Sequence, residues 1–386
     1  MIGRVVILQE TLPHYRVPLM AAIIDAASQR GIKVLLLHGS APGARGSRMN
    51  SGALDAATLI DNKYFTIPGG NGVAVWQAAL SRCLAADLIV VEQANRLLLN
   101  YVLLALRRGG GPAVAFWGHG RNYQSRKPSG FLERLKAALA KSPDWWFAYT
   151  RGVAEYLVQL GYPERRVTIV ENTIDVVGLR SSVAQAQTTV QPTEARRCLF
   201  LGGLYEDKRL NVLFSAADLV ILTLPTFELH IAGGGELERQ VRAYAAERSW
   251  VHYHGQVSGQ DRAALLATSE LLLIPGLVGL VVLDSFAAGV PLVTMADAPH
   301  SPEIAYLTDQ IDGTVLPEGA SPTDYAACVV RLLMDGVARE KLRLGALRAA
   351  DRHSVEGAAA RFVDGLESAL TSSRLRRRRS VVQQPG

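Results

Sequence analysis

The sequence is short of cysteine, with Cys83, Cys198 and Cys328 the only three in 386 residues. They lie far apart in apolar surroundings and form neither a disulfide framework nor a metal-ligand spacing, which fits a reducing, cytoplasmic setting. Long hydrophobic runs are missing too. The most lipid-like stretch, residues 97–106, is too short to cross a bilayer and follows Glu92, Gln93, Asn95 and Arg96. The first eight residues open directly as a strand, with no cleavable signal pattern. After that strand the chain reads QETLPHYR, where a nucleotide-dependent oxidoreductase or epimerase would place Gly-x-Gly-x-x-Gly. Basic residues are not interleaved with aromatics, and no zinc-finger, RRM or helix-turn-helix pattern occurs, so nucleic acid is not an expected partner. Acidic residues are outnumbered. The 41 Lys and Arg against 35 Asp and Glu leave a net charge of +6 and a pI near 9.3, which suits an anionic ligand or an anionic lipid surface.

What is present is apolar sequence enough for two cores, at 49% hydrophobic residues. Strand-length apolar runs at 4–8, 33–38, 87–91, 113–117, 144–150 and 167–170 alternate with helical patterns, among them 19–30 and 74–85, so the expected class is α/β. The Gly/Ala/Ser-rich segment 39–57 reads as a lid or a mobile loop. Residues 178–195 have almost no large apolar side chains and read as a linker. The expected organisation is therefore a first Rossmann-like domain at 1–177, the linker, and a second at 196–354. A further helix is expected at 355–373, and a basic tail at 374–386 is expected to be solvated and disordered. In residues 131–141, Phe131, Leu132, Leu135, Ala138 and Leu139 share one helical face, with Arg134, Lys136 and Lys141 off it. That pattern allows a helix packed on the sheet, an interfacial helix on anionic lipid, or both.

Residues 271–294, LLLIPGLVGLVVLDSFAAGVPLVT, read as strand, tight turn, helix and strand. A helix starting near Gly279-Leu280 leaves unpaired N–H groups and partial positive charge at the mouth of a parallel sheet, a place for a phosphate. Asp284 falls in the second turn of that helix, as a hydrogen-bond acceptor for ribose hydroxyls or as an ordinary exposed carboxylate. In open α/β sheets ligands bind beyond the carboxyl ends of strands. The clusters Glu92-Gln93-Ala94-Asn95-Arg96 and Gly118-His119-Gly120-Arg121-Asn122 both fall there. Lys208-Arg209 opens another helix, where two cations are unfavourable unless an anion is bound.

These segments together resemble the retaining glycosyltransferases of family 4, which have the GT-B fold of two Rossmann-like domains facing across a cleft, and the resemblance implies that the helix at 355–373 returns to the first domain. The family's E-x7-E motif maps onto Gly276 for the first acid, Gly279-Leu280 for the Gly-Leu and Asp284 for the second acid. Lys208 matches the family's lysine, Gly203 stands where its arginine would be, and Arg209 lies adjacent. Gly234 falls in the glycine turn under the nucleotide, Gly255 in the segment that meets the base, and Glu303 in Pro-Glu-Ile. Asp312-Gly313 and the Asn172-x-x-Asp175 segment also fit. The resemblance implies front-face transfer from a UDP- or GDP-linked sugar to a glycan or lipid-linked acceptor, in cell-surface polysaccharide or glycolipid assembly. It implies a cytoplasmic protein peripheral to the membrane, with no metal or other cofactor. Lys208, Arg209 and the helix start would hold the diphosphate, and His119 and Gly276 would line the donor-sugar pocket. His14, Gln93, Asn95 and Arg121 are the acceptor-side candidates. The substituted motif leaves open a carbohydrate-binding or scaffold protein that has lost catalysis.

Overall fold

The computed structural model describes residues 3–40, 52–66, 73–120, 138–189, 191 and 193–382, with side chains to residue 374. The chain divides into two compact units, Met1–Ile174 with Val355–Gly386, and Asp175–Ser354.

Unit one is built on a parallel sheet of seven strands: β1 (Gly3–Thr11), β2 (Ile32–Gly39), β3 (Ala57–Leu59), β6 (Leu88–Glu92), β7 (Ala113–Gly118), β8 (Trp145–Ala148) and β9 (Val167–Ile169). Their order is β3-β2-β1-β6-β7-β8-β9, and β4 (Asn62–Thr66) and β5 (Val73–Gln77) form a separate antiparallel pair. Because helices cover both faces, β1 is buried almost throughout rather than on alternate residues, with the apolar run Val5–Leu8 at its centre. Val5 and Ile7 enter one core with Leu19, Ile23, Trp117 and Phe147. Val6 and Leu8 enter the other with Ile89, Val91, Leu99 and Trp146. The helix Val355–Val382 closes the first of these cores, its Phe362 stacking on Phe147 with ring centroids 4.3 Å apart. Gly365 permits that approach, since a Cβ there would stand 2.6 Å from Thr168 Oγ1.

Unit two has a parallel sheet of six strands: β10 (Arg196–Leu201), β11 (Phe227–Ala232), β12 (Val251–Tyr253), β13 (Leu271–Leu273), β14 (Leu292–Met295) and β15 (Gly313–Leu316). The order β12-β11-β10-β13-β14-β15 reverses the winding between β10 and β13, as β1 and β6 do in unit one. Gly289, at φ 64°, ends the helix Val281–Ala288 in the left-handed conformation that favours glycine.

Several expectations change. The pattern at 74–85 divides into β5 and a short helix, Leu80–Leu84, because Val73, Val75 and Trp76 suit a strand paired with β4. The expected linker is largely the helix Val176–Gln187, capped by Asp175, whose Oδ1 accepts from Gly178 N at 2.8 Å. Val176, Leu179 and Val183 are its buried side, packed on the helices Gly259–Thr268 and Val281–Ala288. Three apolar residues at helical spacing were enough for an otherwise small and polar segment. The basic tail continues the backbone of the last helix to Val382. Most of the segments 39–57 and 131–141, including Arg134 and Lys136, lies outside the described residues, as does Arg121. Among the described residues, no helix is long and apolar enough to cross a membrane.

Candidate functional site

At the switch point of unit two, the turn after β13 meets the turn after β10. Gly276 lies against the backbone of the second turn, and a Cβ there would collide with the carbonyl oxygen of Asp207 and the main chain of Lys208. Leu277 N donates to Asp207 O at 2.8 Å, and Lys208 Nζ donates to Leu277 O at 2.5 Å. Burial pushes the Lys208 pKa down to about 8, with Asp207 pulling it back. His300 supports the turn from the β14 side: its Nδ1 accepts from Val278 N at 3.1 Å and its Nε2 donates to Met295 O at 2.7 Å. That pairing fixes the tautomer, and burial lowers the His300 pKa, helped by Arg209 and Lys208. The N–H groups of Gly279 and Leu280, at the start of the helix Val281–Ala288, have no hydrogen-bond partner among the described residues. The switch point thus presents a half-buried ammonium and, among the described residues, two unpaired backbone donors at a helix N-terminus, features that favour an anion.

Arg209 sits at φ 51°, a left-handed conformation costing about 1–2 kcal/mol for a residue with a Cβ. Its guanidinium is engaged by Asp297, through Oδ1 at 2.7 Å and the carbonyl oxygen at 2.8 Å. The Arg209 guanidinium, a candidate for the diphosphate, is thus already paired with a carboxylate in this structure. Asp284 is buried, not an exposed carboxylate, and pairs with Arg262 NH1 at 3.2 Å. Burial pushes the Asp284 pKa up to about 6, with Arg262 pulling it down. Gly234 and Gly255 lie in the neighbouring strand-end turns, joined by Leu204 N to Gly234 O at 3.0 Å and Gly233 N to Gly255 O at 2.7 Å. Glu303 is buried in the short 3-10 helix Pro302–Tyr306. Gly276 serves the backbone packing of the two turns, which leaves no room for an acid at that position.

The switch point of unit one holds a buried polar group. Arg16, just before the helix Val17–Gln29, donates to Gln9 Oε1 and to the Tyr149 hydroxyl, both at 2.6 Å, and pairs with Glu92 at 3.4 Å. Its guanidinium lies 4.9 Å from the Trp117 ring centroid. Burial opposes the Arg16 charge, but Tyr149, Tyr15 and Glu92 outweigh it and raise the pKa. Glu92 is raised by burial and held back by Arg16. Its Oε2 accepts from Glu10 N at 2.8 Å, while the Glu10 carboxylate pairs with Arg96 at 2.6 Å. The His119 ring stands edge-on to Tyr149 with centroids 4.5 Å apart, and Gln93 Nε2 donates to Gly120 O at 3.1 Å. His119 and Gln93 thus join this group. His14 and Asn95 are exposed, with the Asn95 carbonyl oxygen accepting from the Tyr101 hydroxyl. Of this group, the sequence pointed to Glu92 only as part of the cluster 92–96, and to Arg16, Glu10 and Tyr149 not at all. The available signal was their position at or just past the carboxyl ends of β1, β6 and β8.

Two family models match the chain, Glycosyltransferase Family 4 over residues 19–177 and Glycosyl transferases group 1 over residues 195–335. None of the curated proteins compared matches it in sequence. Among solved structures it is similar to Alr3699/HepE of Anabaena in complex with UDP, at 15% identity and a TM-score of 0.67, over 95% of this chain and 100% of that one. WaaG, a glycosyltransferase of lipopolysaccharide biosynthesis, is similar at 18% identity and a TM-score of 0.61, over 94% of this chain and 98% of that one. A putative UDP-N-acetylglucosamine 2-epimerase of Listeria monocytogenes is similar at 15% identity and a TM-score of 0.59, over 95% and 96% of the two chains. At these identities the likeness carries the GT-B fold and not the reaction, since transferases and an epimerase share it.

Proposed function

We infer that this chain, which belongs through both of its domains to the glycosyltransferases of the GT-B fold, moves a sugar from a nucleoside-diphosphate donor to a glycan or lipid-linked acceptor with retention at the anomeric carbon. Uridine is the first nucleotide to test, because the HepE structure holds UDP. The observation that carries the reading is the turn after β13 in unit two, where Lys208 Nζ donates to Leu277 O and the N–H groups of Gly279 and Leu280 have no partner among the described residues.

In this reading the leaving diphosphate is stabilised as its charge develops, by preorganised donors that need no reorientation at the moment of transfer. Asp284 and Arg262 together meet the ribose and base. Glu303 and the turns at Gly234 and Gly255 complete the nucleotide side. Unit one supplies the acceptor side through Gln93 and its neighbours, and His119 stabilises charge on the departing sugar. The leaving phosphate oxygen assists removal of the acceptor proton, so no protein nucleophile is required.

The test is a screen of UDP- and GDP-linked sugars, first by thermal shift and then by product analysis with and without acceptor glycans. Transfer, or slow hydrolysis of one donor, supports the reading. Interconversion of free sugar nucleotides with no transfer would place the chain with the epimerases. Binding with no turnover would make it a carbohydrate-linked scaffold.

A further inference from the structure

Outside the turn after β13, the edge of the second sheet carries an unusual set of side chains. Glu228 and His230 alternate on β11, His252 lies on β12 and His254 just beyond it. Strand side chains at i and i+2 share a face, and the parallel register sets His230 beside His252. The opposite face, Phe227, Leu229, Ile231 and Val251, is buried core. Packing does not explain the polar face, because a half-buried strand surface is better served by β-branched or aromatic side chains.

The four polar groups are already arranged. One ligand atom from each of Glu228, His230 and His252 lies within 4.8 Å of the other two. His230 Nδ1 is 2.9 Å from His254 Nε2, and His230 Nε2 is 3.4 Å from Glu228 Oε2. Arg197 donates to that same carboxylate oxygen at 2.8 Å.

We propose that Glu228, His230 and His252 form a binding site for a divalent transition-metal ion of the zinc class, with His254 as the positioning residue that sets the His230 tautomer. Two imidazoles and a carboxylate suit zinc, with water in the fourth position. Ligand atoms at about 2.0–2.2 Å from zinc stand roughly 3.3 Å from one another, so side-chain rotation on this half-exposed face closes the set. When His230 Nδ1–H donates to His254, the Nε2 lone pair faces Glu228, which is the usual outer-shell device for aiming a metal-bound imidazole. Arg197 stays on the carboxylate as its orienting partner. The site lies apart from the turn after β13, on the strands that lead into Gly233 and Gly255. A bound ion would clip the edge strand β12 to β11 beneath those glycines.

The test uses the full chain without a polyhistidine tag, stripped with a chelator and titrated with Zn²⁺ against a chromophoric competitor. Uptake of one equivalent, a rise in melting temperature, and a visible Co²⁺ spectrum showing nitrogen ligation are expected. His252→Gln and Glu228→Gln should each weaken Zn²⁺ binding at least about tenfold. His254→Gln, at an exposed position, should weaken it less and alter the Co²⁺ spectrum, and His38→Gln should do neither. Circular dichroism of each variant separates loss of binding from loss of fold, and the exposed His254 keeps the test open if a half-buried variant fails to fold. No stoichiometric uptake by the wild-type chain, or wild-type affinity in both His252→Gln and Glu228→Gln, would overturn the proposal.

Discussion

Lys208 Nζ donates to the carbonyl oxygen of Leu277 at 2.5 Å, joining the turn after β10 to the turn after β13 at the point where the second sheet reverses its winding. The ammonium is therefore preorganised for an anion, whereas the guanidinium of Arg209 is spent on Asp297. Lys208→Ala is expected to weaken donor binding and transfer by about 2–4 kcal/mol, the scale of a positioned charge donor, and Arg209→Ala by much less. Equal small effects on UDP affinity and on turnover would remove Lys208 from the diphosphate site.

The same lysine predicts a pH dependence. Its pKa in the free protein is about 8, and a bound diphosphate raises it, so binding takes up a proton as pH passes that value. UDP affinity should be flat below pH 7.5 and fall towards tenfold per unit above about 8. Lys208→Arg keeps its charge and should flatten the profile. Calorimetric affinities between pH 7 and 9.5 that do not change in the wild type would contradict the assignment.

Gly276 shows what the sequence could and could not reveal. The strand, turn and helix around it were legible, because an apolar run, a Pro-Gly pair and a closing Gly289 each have a local physical meaning. Its role was not. Position 276 looked like a motif acid replaced by a neutral residue, and only the approach of the Asp207–Lys208 backbone gives the reason. Arg16 was hidden for a related cause: nothing local in QETLPHYRVP distinguishes a solvated arginine from one buried between Gln9, Glu92 and Tyr149. The helix Val176–Gln187 was lost because three buried apolar positions are a weak signal among Ser, Gln and Ala.

Gly276→Glu is accordingly expected to damage the fold of unit two before it alters any sugar preference. Forcing a side chain against backbone costs roughly 3 kcal/mol or more, about 6–12 °C in melting temperature for a unit of this size. Gly276→Ala should show a smaller loss in the same direction. A Gly276→Glu protein that melts with the wild type and accepts a different donor would restore position 276 to the sugar pocket.

Asp284 gives a stability prediction with the opposite pH sense to an ordinary surface carboxylate. Its native pKa, about 6, lies above the ordinary value of 3.8. The native state therefore binds more protons in that window. The stabilising contribution is full below about pH 4 and is lost as pH rises through about 6. Asp284→Asn should gain on the wild type by up to about 2–3 kcal/mol between pH 4 and 7, less whatever leaving Arg262 unpaired costs. Parallel urea-unfolding profiles across that range would show that burial is not penalising the charge. The same variant should weaken UDP binding by about 1.5–3 kcal/mol, the worth of a charge-assisted hydrogen bond to ribose.

His119 is held by a chain of contacts rather than by one. Its ring meets Tyr149 edge-on, the Tyr149 hydroxyl accepts from Arg16, and Arg16 is fixed in turn by Gln9 and Glu92. A polar ring at the end of β7 that is positioned this firmly suits a group that meets charge on the reacting sugar. His119→Ala should lower turnover by about 10²-fold with little change in UDP affinity. Tyr149→Phe keeps the ring face and removes only the hydroxyl. It should cost less turnover than His119→Ala and also lower stability, because Arg16 loses a buried partner. If His119→Ala transfers sugar at the wild-type rate, the histidine is a packing residue on Tyr149. If Tyr149→Phe proves as damaging to turnover as His119→Ala while UDP affinity holds, the tyrosine and not the histidine is the group that meets the sugar.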